Sequence, residues 1–102
     1  MKHIILICAA GMSTSLLVNK MKAAAAEEGK DVHIEAMSAN IFATYREPVD
    51  VLLLGPQISF LEEEMRTNYE PKGIKVAVIN MADYGMMDGK KVLASAYQMM
   101  GE

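Results

Sequence analysis

The fold of this chain is decided by Cys8-Ala9-Ala10-Gly11-Met12-Ser13-Thr14-Ser15, read together with the runs on either side of it. An apolar run, residues 2–7, precedes this stretch, and an amphipathic run, residues 16–28, follows it. That order predicts a strand, a tight loop and a helix. Such a loop points consecutive backbone N–H groups at one spot, with the positive end of the helix dipole behind them, and it therefore favours a small anion.

The same stretch holds the only cysteine of the chain, Cys8, at the mouth of the loop. Amides at a helix N-terminus stabilise the thiolate, which is the nucleophilic form. Gly11 permits a close backbone approach, and the hydroxyls of Ser13, Thr14 and Ser15 can cap the helix or bind anion oxygens. These features suggest phosphoryl transfer through a phosphocysteine. The residues alone leave an inert alternative open, in which Cys8 is a small buried residue and the hydroxyl residues form an N-cap.

Length and composition limit the classes of protein to be considered. The chain has 102 residues, 52% of them hydrophobic, which predicts one globular domain over residues 1–102. A single cysteine cannot form an internal disulfide, as expected in a reducing cytoplasm. No leader precedes the first apolar run, and no run approaches the roughly 18 residues of a membrane helix, so we expect a cytoplasmic protein without direct membrane insertion. The net charge of −3, without a Lys/Arg cluster, argues against binding to nucleic acid.

Four runs of the sequence predict the strands of a parallel sheet. Residues 2–7 and 49–54 are nearly continuous apolar runs, typical of central strands covered on both faces. Residues 31–37 alternate between apolar and polar, and residues 74–79 carry a lysine, as edge strands do. The predicted strand order is therefore 2-1-3-4, in a flavodoxin-like, doubly wound α/β fold of three layers.

The runs between these strands predict helices. Residues 41–46 form a short helix or turn that stops before a proline. A third helix has Ile58, Leu61 and Met65 as its inner stripe, and Asp88 is the predicted N-cap of the last helix.

The predicted topology brings three loops together at one edge of the sheet. In doubly wound sheets the ligand lies beyond the C-terminal ends of the strands, where the strand order reverses. Cys8 ends the first strand, Gly55-Pro56-Gln57 ends the third, and Asn80, Asp83 and Tyr84 follow the fourth. The sequence therefore predicts one anion pocket, with the Gln57 amide beside the cysteine loop.

The nearest chemical analogue is the low-molecular-weight tyrosine phosphatase, which shares this strand order and an early Cys-x5-Arg-Ser/Thr loop. Here Thr14 stands at the position of the arginine. A bidentate arginine clamps the phosphate and stabilises the hydrolytic transition state, so its loss disfavours attack by water and suits a carrier. Asp83 lies near the position of a phosphatase's general acid, although capping or solvent exposure is the preferred interpretation. A phosphatase or arsenate reductase, and a non-catalytic anion- or partner-binding module, remain alternatives.

Two segments of the sequence resemble a known family. Residues 7–17, Ile-Cys-Ala-Ala-Gly-Met-Ser-Thr-Ser-Leu-Leu, together with residues 54–57, Leu-Gly-Pro-Gln, are similar to the IIB component of the lactose/cellobiose type of the bacterial phosphoenolpyruvate-dependent sugar phosphotransferase system. The similarity extends over nearly the whole chain in length and layout.

The resemblance implies a phosphoryl carrier. In that family the cysteine takes a phosphoryl group from a phosphohistidine on the IIA component and passes it to a sugar held by the membrane IIC component. The implied substrates are diglucoside-type sugars such as cellobiose, chitobiose or lactose. By position, Cys8 is the nucleophile, and the phosphate loop consists of Ala9, Ala10, Gly11, Met12, Ser13, Thr14 and Ser15. Gln57 and Asp83 are possible accessory groups on the geometry of the predicted pocket, and the resemblance does not assign them. The protein is expected to act as a monomer, without a metal or nucleotide cofactor and through transient complexes.

Overall fold

The computed structural model describes residues 1–8 and 11–101, and of residues 11–13 it describes the backbone alone. Strands and helices alternate along the chain. In chain order they are β1 Lys2–Ile7, α1 Gly11–Glu27, β2 Val32–Met37, α2 Ala39–Phe42, β3 Val51–Leu54, a 3₁₀ segment Pro56–Leu61, α3 Glu62–Tyr69, a 3₁₀ turn Glu70–Lys72, β4 Lys75–Val78, α4 Met81–Gly85 and α5 Gly89–Met99.

The four strands form one parallel sheet in the order β2-β1-β3-β4, which confirms the predicted topology. β1 pairs with β2 from Lys2↔Val32 to Ile7↔Met37. β3 begins at Val51, two residues later than predicted. Asp50, just before it, bonds to β1 through its side chain as well as its backbone. The Asp50 carboxylate accepts the N–H of His3 at 2.8 Å, and the Asp50 N–H donates to the His3 carbonyl at 2.8 Å.

Long helices cover the first face of the sheet. α1 and α5 pack there against alternate residues of the strands, since successive side chains of a strand point to opposite faces. The closest approach is at Gly89, where a Cβ would come within 2.5 Å of the Lys20 carbonyl carbon. The buried cluster of this face includes Ile4, Leu6, Leu17, Met21, Ile34, Val51, Leu53, Val92, Leu93 and Ala96.

Short segments cover the second face. α2, α3 and the 3₁₀ segment pack there on the other side chains of the strands, around the aromatic rings of Phe42, Tyr45 and Tyr69. The buried cluster of this face includes Ile5, Ile7, Met37, Phe42, Leu52, Leu54, Ile58, Met65 and Val76.

The structure corrects the predicted helices on this second face. The short helix expected over residues 41–46 is α2, Ala39–Phe42, and it begins earlier because the Ser38 hydroxyl caps it by accepting the Ile41 N–H at 3.2 Å. The predicted third helix is divided into the 3₁₀ segment and α3, since Ile58 has φ −120° and ψ 28°, outside the helical region. The predicted cap of the last helix is confirmed, with the Lys91 N–H donating to Asp88 Oδ1 at 3.1 Å.

Within the described ranges 1–8 and 11–101, every helix is too short or too polar to cross a bilayer.

Candidate functional site

All four strands end at the same edge of the sheet, because they are parallel. Cys8 follows the last residue of the central strand β1, and its N–H donates to the carbonyl of Met37, the last residue of β2, at 3.2 Å. The Cys8 sulfur lies 4.0 Å from the same carbonyl oxygen. The residue is 7% exposed, so little of its surface faces solvent. The predicted position of Cys8 at the end of a central strand is confirmed.

Residues 11–15 of the predicted phosphate loop belong to α1, because this helix begins at Gly11 and not near residue 16 as the sequence predicted. Ala9 and Ala10 lie outside the described residues, as do the side chains of Gly11, Met12 and Ser13. The backbone is helical from Gly11 onwards, and the first turn of α1 carries no acidic residue. The first N–H groups of a helix have no partner within it, and the dipole of α1 adds positive potential at that end. This end of α1 is therefore suited to an anion.

Thr14 and Ser15 are the last residues of the predicted phosphate loop, and they have different surroundings. Ser15 is exposed, whereas Thr14 is 1% exposed. The Thr14 hydroxyl lies 3.2 Å from the hydroxyl of Tyr84, at hydrogen-bond distance. Sequence reasoning assigned the Thr14 hydroxyl to the helix cap or the anion and missed this contact. The structure thus brings Tyr84 to the loop, as predicted, but through a partner that the sequence did not identify.

Gln57 lies beside the end of β1. The Gly55 N–H donates to the Ile7 carbonyl at 3.0 Å, which holds the third loop against the strand that Cys8 follows. The Gln57 side chain turns back over Gly55, since a Cβ at Gly55 would lie 3.1 Å from Gln57 Oε1 and 3.6 Å from the Ile7 carbonyl oxygen. The structure therefore brings Gln57 to the edge of the sheet where Cys8 lies.

Asp83 lies on the wall of a separate cavity. Asn80 caps α4, with its side-chain oxygen accepting the N–H groups of Ala82 and Asp83 at 2.9 and 3.2 Å. The Asp83 carbonyl accepts the Asp88 N–H at 2.9 Å. The cavity has a volume of about 220 Å³ and is lined by Leu53, Ala77, Val78, Ile79, Asn80, Asp83, Val92, Ser95 and Met99. Its lining belongs to β3, β4, α4 and α5, so Asp83 faces different neighbours from Cys8, Thr14 and Gln57.

The side chains that the structure describes contain no cluster of candidate metal ligands. No group of three or more His, Cys, Asp and Glu residues within that part of the chain is arranged to hold a metal ion.

The pKa of the Tyr45 phenol is raised by burial and by the nearby carboxylates of Glu35 and Glu47. Tyr45 precedes β3, however, and lies at the opposite edge of the sheet from Cys8.

The chain is similar to proteins of a known family. The sequence model described as the PTS system lactose/cellobiose-specific IIB subunit matches residues 3–95. The chain belongs to this family. The resemblance found in residues 7–17 and 54–57 is thereby confirmed, and the chain is a component of a sugar phosphotransferase system with IIA and IIC components as its partners.

Individual relatives cover nearly the whole chain. The PTS system galactose-specific EIIB component of Lactococcus lactis subsp. cremoris is 54% identical, over 97% of this chain and 96% of the relative. The PTS system cellobiose-specific EIIB component of Lactococcus lactis subsp. lactis is 53% identical over the same shares of the two chains. The solution structure of a cellobiose-specific phosphotransferase IIB component from Borrelia burgdorferi is 38% identical, with a TM-score of 0.78, and the match covers 96% of this chain and 90% of that chain.

Proposed function

We propose that Cys8 is the phosphoryl carrier of this protein. It accepts a phosphoryl group from a phosphohistidine of a IIA component and passes it to a sugar bound by a membrane IIC component. Residues 1–102 act as one IIB domain, as a monomer on the cytoplasmic side of the membrane, without a metal or nucleotide cofactor. Residues 9–15 bind the phosphoryl group, with Gln57 as an accessory group and Asp83 as a weaker candidate.

The proposed reaction consists of two in-line displacements at phosphorus. In the first, the Cys8 thiolate attacks, the S–P bond forms, and the N–P bond breaks with its electron pair left on the histidine ring. In the second, a sugar hydroxyl attacks, the O–P bond forms, and the S–P bond breaks to return the thiolate. The hydroxyl proton passes to a base in the IIC sugar site or to water. Since such transfers depend on alignment and charge stabilisation, the protein must present Cys8 to two partners in turn.

The observation that carries this proposal is the place of Cys8 in the fold. It stands between a central strand and the N-terminal end of the longest described helix, where the backbone amides of α1 favour an added negative charge. The Gly55–Gln57 loop is held against the same strand end by the bond from Gly55 to Ile7. Family membership adds to this geometry, because it connects the chain to sugar phosphotransferase systems.

A second observation supports docking of two protein partners at this edge. Leu16, Ile41, Phe60 and Met81 are each 49% to 77% exposed, and each lies in the segment that follows the end of a different strand. We call these four residues the rim surface. Exposed apolar side chains on the segments that follow parallel strands offer a surface on which a partner can dock, and a small apolar contact suits a transient complex.

The sugar is proposed as a class. The implied class is that of the diglucoside-type sugars, such as cellobiose, chitobiose or lactose. Two relatives of nearly equal identity are named for galactose and for cellobiose, so overall similarity does not separate the sugars. We propose that the IIC component selects the sugar, and that this chain transfers the phosphoryl group to whichever sugar IIC presents.

A phosphatase or arsenate reductase activity is the alternative that shares the fold. This chain lacks the arginine of the phosphatase loop, since Thr14 occupies that position and the Thr14 hydroxyl contacts Tyr84. The carrier function therefore predicts almost no turnover of an aryl phosphate. A non-catalytic binding module would show neither turnover nor phosphoryl uptake.

The test is intact-mass spectrometry of the wild-type protein and of Cys8→Ser. Each is incubated with phosphoenolpyruvate, the general phosphotransferase proteins and a IIA component of the lactose/cellobiose type. Gain of one phosphoryl group by the wild type alone supports the carrier function. If neither protein gains it from a IIA that is itself phosphorylated, the phosphocysteine proposal fails.

A matched pair of rim variants separates docking from chemistry. Phe60→Ser removes an exposed ring from the rim surface, whereas Met86→Ser removes an equally exposed apolar side chain from the turn between α4 and α5. Phe60→Ser should raise the IIA concentration needed for half-maximal transfer, and Met86→Ser should leave it unchanged. Equal values for the two variants would remove the rim surface from the docking site.

A further inference from the structure

A buried pair of hydroxyls connects the start of α1 to α4. Thr14 Oγ1 and Tyr84 Oη are 3.2 Å apart, and the two residues are separated by 70 positions in the sequence. Thr14 is 1% exposed and Tyr84 is 8% exposed, so water has little access to compete for this bond. A hydrogen bond in such surroundings fixes the distance between its two elements more firmly than one at the surface.

Tyr84 is itself firmly held. Its ring belongs to the buried cluster of the first face. Its N–H donates to the Asn80 carbonyl at 2.9 Å, and its carbonyl accepts the Met87 N–H at 3.1 Å. The Asn80 side chain in turn caps α4 through two backbone N–H groups. Tyr84 is therefore a fixed point against which the first turn of α1 can be positioned.

Thr14 lies in the first turn of α1, within the predicted phosphate loop. The backbone N–H groups of this turn are the ones that a helix leaves without internal partners. A shift of the turn would move these groups relative to Cys8, which is anchored separately to the end of β2. Because transfer depends on placement of the phosphoryl group to within a fraction of an ångström, a small displacement is enough to slow it.

We propose that Tyr84 is a positioning residue for phosphoryl transfer. Its hydroxyl holds Thr14, and Thr14 holds the first turn of α1 in register with Cys8. The inference rests on the proposed function of Cys8, and it adds a residue of α4, the helix after the fourth strand, that acts on the phosphate loop through another residue.

The test compares three single substitutions in the full chain. Tyr84→Phe removes the hydroxyl and keeps the ring, and Thr14→Val removes the other hydroxyl at nearly constant volume. Tyr97→Phe is the matched control, because Tyr97 is also 8% exposed and its ring lies 4.3 Å from Lys30 Nζ, beyond the other end of α1. The rate of transfer from phosphorylated IIA is measured over a range of IIA concentrations, together with the urea midpoint of each variant.

The expected result is a loss of maximal rate without a loss of docking. Tyr84→Phe and Thr14→Val should each reduce the maximal rate about tenfold, with an unchanged half-saturating IIA concentration. The double variant should be no slower than the slower single one, because both changes break the same contact. Thr14→Ser should recover most of the rate lost in Thr14→Val, and Tyr97→Phe should stay within about twofold of the wild type.

The rate of Cys8 alkylation by iodoacetamide against pH gives a second readout that does not need IIA. Tyr84→Phe should change the alkylation rate, since the first turn of α1 moves relative to Cys8, whereas Tyr97→Phe should not. A Tyr84→Phe variant that matches the wild type in transfer and in alkylation would overturn the positioning role alone. Absence of phosphoryl uptake by the wild type would instead overturn the proposed function.

Discussion

The two faces of the sheet are covered in different ways. On the first face, α1 has 17 residues and α5 has 11, and the two helices meet so closely that Gly89 lies against the backbone of α1. On the second face, α2 has 4 residues and α3 has 8, and a 3₁₀ segment of 6 residues precedes α3. In a long helix, many contacts are held at one fixed spacing and must shift together. Short segments can each adjust to the side chains that they cover. We therefore expect the first face to be the more rigid, and substitutions on the two faces should differ in their effects on stability.

The largest difference should appear when a cavity is made in each face. Leu93, on the first face, is fully buried, and Met65, on the second, is nearly so. Leu93→Ala should lower the free energy of unfolding by about 4 kcal/mol and Met65→Ala by about 2 kcal/mol, because the half-buried Leu61 and Tyr69 can move into the space left by Met65. Urea denaturation followed by circular dichroism measures both. Equal losses would show that the two faces are equally rigid.

A methyl group added at the contact of the two long helices should have the next largest effect. In Gly89→Ala the new Cβ would lie 2.5 Å from the Lys20 carbonyl carbon and 2.6 Å from the Met21 nitrogen, so backbone atoms must shift. We expect a loss of about 2 kcal/mol. Gly85→Ala is the control, because a Cβ there has no neighbour within 4 Å among the described residues, and it should be neutral or stabilising by about 0.5 kcal/mol. Thermal unfolding of the two variants would contradict the close contact if both behaved alike.

The helix caps offer a smaller comparison. Asp88 caps α5 at 3.1 Å and Ser38 caps α2 at 3.2 Å, with similar geometry. Asp88→Ala should cost about 1 kcal/mol, and Ser38→Ala about 0.5 kcal/mol, since the loss of a cap matters less for a helix of one turn. Asp88→Asn keeps an acceptor oxygen and should recover most of the loss in the same denaturation assay. A larger loss for Ser38→Ala would reverse the ranking of the two faces.

The smallest effect should be on stability at alkaline pH, and it concerns Tyr45, which packs against the second face. Burial and the carboxylates of Glu35 and Glu47 raise the pKa of Tyr45 above 10.0, so folding favours its neutral phenol. The contribution of this group to stability is complete below pH 10.0 and is lost as the pH rises through its pKa in the folded protein. Tyr45→Phe should therefore show a shallower loss of stability above pH 10.0 than the wild type, with little change at pH 7. Identical alkaline profiles would show that Tyr45 ionises equally easily in the folded and unfolded protein.

The sequence predicted the sheet better than the helices that cover it. The strand order could be read because the two central strands are nearly continuous apolar runs and the edge strands are not. The inner stripe of the third helix was identified correctly, since Ile58 and Met65 are buried and Leu61 is half-buried. The backbone there was wrong, because apolar spacing does not distinguish a continuous helix from a 3₁₀ segment that leads into one.

For the candidate site, the sequence predicted the residues at the strand ends more reliably than their contacts. Cys8 and Gln57 lie at one edge because Cys8 directly follows β1 and Gln57 lies three residues after the end of the neighbouring parallel strand β3. Asp83 and Tyr84 are neighbours in sequence, yet Asp83 lines a cavity beside α5 and Tyr84 reaches Thr14. Adjacent residues of a helix point about 100° apart, so their destinations depend on how the helix is docked.

By itself, the sequence determined the parallel sheet, its strand order and the place of Cys8 between a central strand and a helix. These features follow from local patterns, in which apolar runs, turn residues and a glycine-containing loop occur within a few positions of one another. Only the tertiary structure decided that Thr14 meets Tyr84, that Gly89 lies against the backbone of α1, and that the second face is built from short segments. The physical reason is that these contacts join residues far apart in the chain, where close packing selects the partner and no local pattern records it.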